Sequence, residues 1–497
     1  MAQTRAETGT RRAGSALGSV IVFAFDGLQP SQIAPERMPN LHAFASEGVT
    51  FGDHHAVFPT VTRANVVSIL TGTSPGAHGL TANTLVMRDF DDTRVIPAMA
   101  PELARVQQAG ELLLAPHLAD ILATHGRRSV AIGTGTSGNA FLQSPNASRS
   151  GGATVNPGFT NPPELQEELT QRFGAWPDKT GAGGERLAHA VTLLTEHLIP
   201  KYEPAVAVFW SNQPDSAQHA AGVGSDLSEL VVAIADRQFG RLLVWLEATG
   251  RAAETDVVVI SDHGYSTLAD SVDVEALLRD GLGAEAGRTM LVAPNGGAVL
   301  FYVRDSDPAV IDHLAGWLMA HPWCGAVAAS EAAGHVEGTV PAALVGIEGP
   351  RAPDLAMSFA WESRPNEAGF EGTIAGKGRL GIGQHGSMSR HEMRCVLTAR
   401  GPSFGAGLRL DTPSGHVDLA PTLLRVLELP GGEQMHGRVL EEALVGGPSH
   451  EPVAATKTLK AERVWRSGSY RQAVTVTRVG DTTYVDEGNR VAEGGTT

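Results

Sequence analysis

Cysteine is nearly absent from this chain: Cys324 and Cys395 are the only two in 497 residues. Such a pair permits one disulfide but neither a disulfide framework nor a thiolate metal site. Long apolar runs are missing too, and none approaches the roughly 18 to 20 residues a membrane helix needs. Positive charge is in deficit, with 38 Lys and Arg against 54 Asp and Glu and a formal net charge of −16. That argues against nonspecific nucleic-acid binding and offers no basic surface to an anionic membrane. A small anionic substrate stays open, because a local metal cluster can reverse the field inside a pocket. Arg5, Arg11 and Arg12 ahead of an apolar segment have the superficial look of a secretory signal. The segment is only Val20 to Phe25, however, and runs straight into Asp26 with no cleavage-like site. A soluble, cytoplasmic protein is the expectation, and the chain is long enough to bury a large core.

With 42% apolar residues and 19% charged, the composition is that of an ordinary globular protein. Three short apolar runs read as buried strands of a mainly parallel sheet: Val20 to Phe25, Ala205 to Trp210 and Val257 to Ile260. Helical stretches alternate with them at Asn40 to Glu47, Arg63 to Leu70, His117 to His125, Glu185 to Leu198 and Leu227 to Thr249. This strand–helix–strand rhythm predicts an α/β fold, a doubly wound sheet with helices on both faces, over 18–446. Residues 134–184 are rich in Gly, Ser, Asn and Pro and predict a long irregular lid. Residues 275–375 loosen the rhythm and predict an inserted cap, with a strand at Ala298 to Val303 and a helix at Val310 to Met319. Over 447–497 a β-hairpin is expected, from Ala473 to Thr477 through Gly480-Asp481 to Thr483-Tyr484-Val485.

Each of the three strand-like runs leads into groups that bind hard or borderline metals. Asp26-Gly27 follows the first, Asp215-x-x-x-His219 the second and Asp262-His263-Gly264 the third. Open α/β sheets bind ligands outside the carboxyl ends of their strands, so the three point to one site. The Asp215–His219 spacing sets both side chains on one side of a helical turn, and Gly264 permits a sharp exit from its strand. His385 lies in a glycine-rich loop, Gly383-Gln384-His385-Gly386-Ser387. Thr62, just before a helix, reads as an N-cap, or as a hydroxyl at the positive helix end where an anion is welcome. Each feature alone has a bland explanation as a cap, a surface pair or a surface histidine. In combination, these nitrogen and oxygen ligands without thiolate suit zinc, with manganese the alternative.

In order along the chain stand Asp26-Gly27, Pro59-Thr60-Val61-Thr62-Arg63-Ala64-Asn65, Leu70-Thr71-Gly72 with His78-Gly79, Pro214-Asp215-Ser216-Ala217-Gln218-His219, Asp262-His263-Gly264 and His385-Gly386-Ser387. Together they resemble the alkaline phosphatase superfamily, in particular its nucleotide pyrophosphatase/phosphodiesterase branch with the related phosphonoacetate hydrolases. The resemblance spans residues 20–430. It implies two divalent ions, one held by Asp215, His219 and His385, the other by Asp26, Asp262, His263 and the nucleophile Thr62. It implies that Asn83 hydrogen-bonds a phosphoryl oxygen, and that His416 belongs to a closing structural helix rather than to the metal set. The activity implied is hydrolysis of a phosphodiester or nucleotide-type substrate through a phospho-threonine.

One departure stands out. The diesterase pattern has an aromatic residue and then proline after the nucleophile, whereas this chain has Arg63-Ala64. Arg63 is a candidate substrate-binding residue, since a guanidinium forks onto phosphate or carboxylate; the alternative is a solvated helix residue. The rival substrate is accordingly a small carboxylated phosphonate cleaved at its C–P bond, with Arg63, Arg127 and Arg128 as candidate carboxylate partners, or a phosphomonoester. A catalytically inactive metal-binding protein of the same fold is the alternative of another class. A sulfatase is disfavoured because the cysteine- or serine-centred motif is absent, and a phosphoglycerate mutase because the nucleophile there is serine.

Overall fold

Along Ser19–Phe25, burial switches sides at every residue. Val20, Val22 and Ala24 enter one hydrophobic cluster, while Ile21, Phe23 and Phe25 enter another. That period of two, with both faces apolar, is the mark of a central strand covered by helices above and below. The computed structural model describes residues 18–179, 182–466 and 468–491, so the three N-terminal arginines lie outside the described residues.

Ser19–Phe25 is the middle strand of a nine-stranded sheet. It runs parallel to Thr255–Ile260 on one side and to Val206–Ser211 on the other, and the latter is followed in parallel by Ser129–Gly133 and Ala153–Asn156. Leu397–Arg400 turns antiparallel beyond Thr255–Ile260, and Phe159–Asn161 does so at the far edge. Helices Pro39–Glu47, Gly184–Leu193 and Asp226–Ala248 cover the face of Phe23. Helices Thr62–Thr71, Leu118–Thr124 and Leu419–Val426 cover the face of Val22. Phe23 stacks on Phe209 at 4.4 Å and meets the edge of Phe239 at 5.1 Å, which locks the long helix to the sheet. Among the described residues, no helix is long and apolar enough to cross a membrane.

The segment 134–184 differs from the irregular lid its composition predicts. It contains helices Ser137–Gln143 and Glu164–Phe173, and its strands Ala153–Asn156 and Phe159–Asn161 extend the main sheet. The glycines and asparagines occupy the turns between these short elements. Residues 275–375 build a second sheet of five strands, with Ala298–Val303 paired to Met290–Asn295 and to Leu355–Phe359. This sheet shares a separate hydrophobic cluster with helix Pro308–Met319. The C-terminal segment is larger than a hairpin. Ala454–Trp465, Gly468–Val479 and Thr482–Arg490 form a three-stranded sheet. Gln472 accepts from the Val327 amide at 2.9 Å and Tyr470 donates to the Gly325 carbonyl at 2.6 Å, so the segment is built onto the second sheet.

The helix at Thr62–Thr71 is held at its far end by a buried histidine. His78 Nδ1 accepts from the Leu80 amide at 3.2 Å, which leaves Nε2–H to donate to Ser68 Oγ at 3.0 Å. Burial pushes this neutral imidazole down to about 3. A depressed histidine contributes stability that is whole above its ordinary value near 6.5 and is lost as pH falls toward 3. The upper limit of that loss is about 1.4 kcal/mol per pH unit. Urea unfolding of wild type and His78→Gln between pH 6.5 and 4 checks it: the wild type should show the steeper fall, and parallel slopes would refute the assignment.

Candidate metal centre

Register brings the three strand ends to one level. Phe25 pairs with Ser211 and Ala24 with Ile260, so the residues that follow emerge side by side. The Asp26 amide donates to the Ser211 carbonyl at 3.0 Å, the Asp215 amide to the Asp26 carbonyl at 3.0 Å, and the Gly27 amide to Asp262 Oδ1 at 3.0 Å. Gly27 has φ +71°, and a Cβ there would lie 2.5 Å from the Tyr265 ring; only glycine lets these loops close up. Gly264 serves a different purpose from the turn its sequence suggests. Its φ is not left-handed, and a Cβ would lie 2.1 Å from the His391 carbonyl oxygen. What needs glycine at 264 is the close approach of the His391 backbone.

Six of the predicted residues converge in two groups. In the first, His263 Nε2 lies 3.5 Å from Asp26 Oδ1 and 3.4 Å from Asp262 Oδ2. In the second, Asp215 Oδ1 lies 3.3 Å from His219 Nε2 and 3.5 Å from His385 Nε2, and the two imidazole nitrogens are 3.1 Å apart. His263 and His385 stack at 3.6 Å between ring centroids and join the groups into one centre. Asp215, His263 and His385 present ligand atoms close enough to hold a cation, as do Asp26, Asp262 and His263.

Tautomers are set from outside. His263 Nδ1–H donates to the Gly264 carbonyl at 3.0 Å, His385 Nδ1–H to the Thr60 carbonyl at 2.7 Å, and His219 Nδ1–H to the Gly383 carbonyl at 3.2 Å. Each histidine therefore turns a bare Nε2 lone pair inward, toward carboxylate oxygens that are also electron pairs. Asp26 Oδ1, Asp262 Oδ2 and His263 Nε2 are fully buried and lack any hydrogen-bond partner. Buried polar atoms are ordinarily paired. Three orphaned acceptors aimed at one point fit a cation, so the residues present match the ion the resemblance implies.

The electrostatics carry the same imprint. Burial, then the charges of Asp262 and Asp215, hold Asp26 well above the usual carboxylate range. Burial, with Asp215 nearby, pushes Asp262 up to about 7. Burial and His385 hold His263 well below the ordinary imidazole value. Burial opposes ionisation of Asp215 too, but His219 and His385 prevail and hold it low; Asp215 in turn raises His219 against the effect of burial. Asp26, Asp262 and His263 thus form a crowded set of acceptors that favours positive charge, whereas Asp215 is already paired with His219 and His385.

Thr62 opens its helix and is buried, with the N-cap at Val61 rather than at Thr62 as the bland reading has it. Two residues earlier Thr60 ties this segment to the His385 loop, accepting from the Gly386 amide at 2.9 Å and donating toward the Ser387 carbonyl at 2.9 Å and Glu392 Oε2 at 3.1 Å. Asn83 Oδ1 accepts from the Arg63 amide at 2.9 Å, which places this side chain at the start of the Thr62 helix. His416 sits apart, bridging Asn65 Oδ1 at 2.8 Å and the Ser261 carbonyl at 2.9 Å. Arg127 and Arg128 are corrected as carboxylate partners. They bind the carbonyls of Gly18 and Tyr202 beside Ser129, at the amino end of a parallel strand, whereas the centre lies at the carboxyl ends.

Two positioning residues escape a reading by spacing. Tyr265 donates to Asp215 Oδ1 at 2.5 Å, and Trp210 Nε1 donates to Asp26 Oδ2 at 3.0 Å. Trp210 fixes one oxygen of Asp26 and leaves the other to the centre, whereas Tyr265 holds the same Asp215 oxygen that faces His219 and His385. Their adjacency to Asp262-His263-Gly264 and to the end of a strand was the available signal.

A parallel-centred sheet with paired carboxylate–histidine groups at its strand ends, and a second sheet inserted after the third strand end, defines the alkaline phosphatase superfamily core. The chain belongs to the Type I phosphodiesterase / nucleotide pyrophosphatase family, whose model matches residues 20–361. A bis(5'-adenosyl)-triphosphatase, enpp4 of Xenopus laevis, is 24% identical over 425 residues, covering 84% of this chain and 79% of that protein. An ectonucleotide pyrophosphatase/phosphodiesterase of Caenorhabditis elegans is 24% identical over 396 residues, 78% of this chain and 44% of that longer protein. The solved structure of murine ectonucleotide pyrophosphatase/phosphodiesterase 5 covers 86% of this chain and 100% of its own, with a TM-score of 0.62 at 17% identity. An inactive variant of the same murine protein in complex with AMP gives 0.60 at 18% identity, over 83% and 96%. The structural likenesses establish the fold. The family makes the protein a hydrolase of the phosphodiesterase class.

Proposed function

We propose that this protein is a two-metal hydrolase of phosphodiester or nucleotide-type substrates that works through a phospho-threonine at Thr62. The observation that carries the reading is the convergence of orphaned acceptors, Asp26 Oδ1, Asp262 Oδ2 and His263 Nε2, beside the Asp215–His219–His385 group. Asp26, Asp262, His263 and Thr62 would hold one divalent ion and Asp215, His219 and His385 the other. Bound zinc, or manganese, supplies Lewis acidity and charge neutralisation toward a phosphoryl group. Thr62 Oγ1 gives up its proton to solvent and attacks phosphorus in line; the bond to Thr62 forms as that to the departing oxygen breaks, and the leaving group takes a proton from solvent. Water then cleaves the phospho-threonine, releasing the phosphoryl product and restoring the hydroxyl. The Thr62 amide, a first-turn donor without an intrahelical acceptor, would face developing negative charge, and Asn83, held at the helix start by its bond to the Arg63 amide, would offer its Nδ2 donor to the same charge. His385, pinned through Thr60, keeps the nucleophile segment and the metal ligands in one frame.

Turnover by the zinc-reconstituted protein of bis-(p-nitrophenyl) phosphate, p-nitrophenyl phosphate and phosphonoacetate is the test. The diester should be cleaved fastest. Preferred phosphate release from phosphonoacetate would replace the diesterase reading with C–P hydrolysis, and no turnover of any of the three would favour an inactive binding protein.

A further inference from the structure

Arg63 stands directly after the nucleophile and lacks the partner its charge demands. One guanidinium nitrogen, Nη2, donates to Thr136 Oγ1 at 2.8 Å and lies 3.5 Å from Met99 Sδ. Nε is buried and has no hydrogen-bond partner at all. Among the described residues, no carboxylate lies within ion-pair distance of Arg63 in the set of ion pairs formed. Asp26, Asp215 and Asp262 reach it only through their fields, and all three belong to the metal centre. A half-buried guanidinium without a counter-ion is costly unless a ligand supplies one.

Thr136 completes the arrangement. Its hydroxyl oxygen already accepts twice, from Arg63 Nη2 at 2.8 Å and from the Asn139 amide at 3.3 Å. Both lone pairs are engaged, so the hydroxyl hydrogen is left to donate elsewhere. Beyond it the wall continues in polar groups: Thr134 Oγ1 donates to Asn212 Oδ1 at 2.6 Å, and Asn212 Nδ2 donates to Ser216 Oγ at 3.0 Å. Ser216 neighbours Asp215, so this wall runs from Arg63 to the metal centre. The residues named along it offer hydrogen bonds and carry no ring.

We propose that Arg63 and Thr136 form an anion subsite for a second negatively charged oxygen group, carboxylate or phosphate, on the organic substituent of the phosphoryl substrate. The unpartnered Nε–H of Arg63 and the hydroxyl of Thr136 are its donors, and they favour phosphoryl substrates whose organic substituent carries a further anionic group, a nucleotide's second phosphate included, over those without one. The inference rests on the phosphoryl-binding reading of the metal centre and names the substrate class that reading leaves open.

Calorimetric binding of three probes to the zinc-loaded protein tests it. Phosphonoacetate carries a carboxylate beside its phosphonate, methylenediphosphonate a second phosphonate, and methylphosphonate neither. The wild type should bind at least one of the first two more tightly than methylphosphonate. Arg63→Gln should weaken that probe by about 10- to 100-fold, the range of a charged hydrogen bond, with methylphosphonate changed less than twofold and Arg63→Lys intermediate. Whichever probe suffers the loss identifies the anion. Equal weakening of all three, weakening of none, or no preference in the wild type would overturn the subsite. Failure of the wild type to bind even methylphosphonate would instead sink the phosphoryl-site reading beneath it.

Discussion

Thr62→Ala should abolish turnover of a diester substrate, lowering it by at least about three orders of magnitude, while metal content stays near that of wild type. The separation follows from the number of ligands on each side. On the proposed reading Asp26, Asp262 and His263 would be three protein ligands, already oriented by Gly27, Trp210 and the Gly264 carbonyl. Losing Thr62 as a fourth, hydroxyl ligand would leave those three in place, whereas among the described residues of the Thr62–Thr71 helix no other hydroxyl stands at its start to replace the proposed nucleophile. The change is small and sits at a helix start, where alanine is tolerated, so the variant should fold. Residual turnover within tenfold of wild type would remove Thr62 from the mechanism and leave water as the direct nucleophile.

Chelation of metal should have the second largest effect, on activity and stability together. Without cations, Asp26 and Asp262 are buried carboxylates facing one another and Asp215, and burial with these neighbours raises both, Asp262 to about 7. A cation bound only by the folded state removes that repulsion. At a free concentration a hundredfold above its dissociation constant, each ion adds about 2.7 kcal/mol. The chelated protein should be inactive and melt several degrees lower, and zinc should restore both. Differential scanning calorimetry across a zinc titration checks the claim; a melting temperature indifferent to zinc would mean that the orphaned acceptors do not form an ion site.

Much of this was legible from residue order. Strand-end carboxylates declare themselves because a parallel strand delivers whatever follows it to one edge of the sheet, and the register of Phe25 with Ser211 makes the delivery literal. Asp215 and His219 were legible because a helical turn sets their distance. Less was visible where contact depends on segments far apart in sequence. Thr60 meets Ser387 and Glu392 across more than three hundred residues, and Tyr265 reaches Asp215 across the sheet edge. The short strands of 134–184 were hidden by their own turns, since three- and four-residue elements carry too little periodicity to read. Arg127 and Arg128 misled because charge was weighed without knowing which end of a strand they occupied. Gly264 misled because a glycine before a turn and a glycine beneath another backbone look alike in sequence.

The most direct test of the two-ion centre is anomalous diffraction from crystals of the zinc-loaded protein. Two peaks are predicted, one within bonding distance of Asp26, Asp262 and His263, the other of Asp215, His219 and His385. A single peak shared across the stacked His263 and His385, or none, would contradict the account.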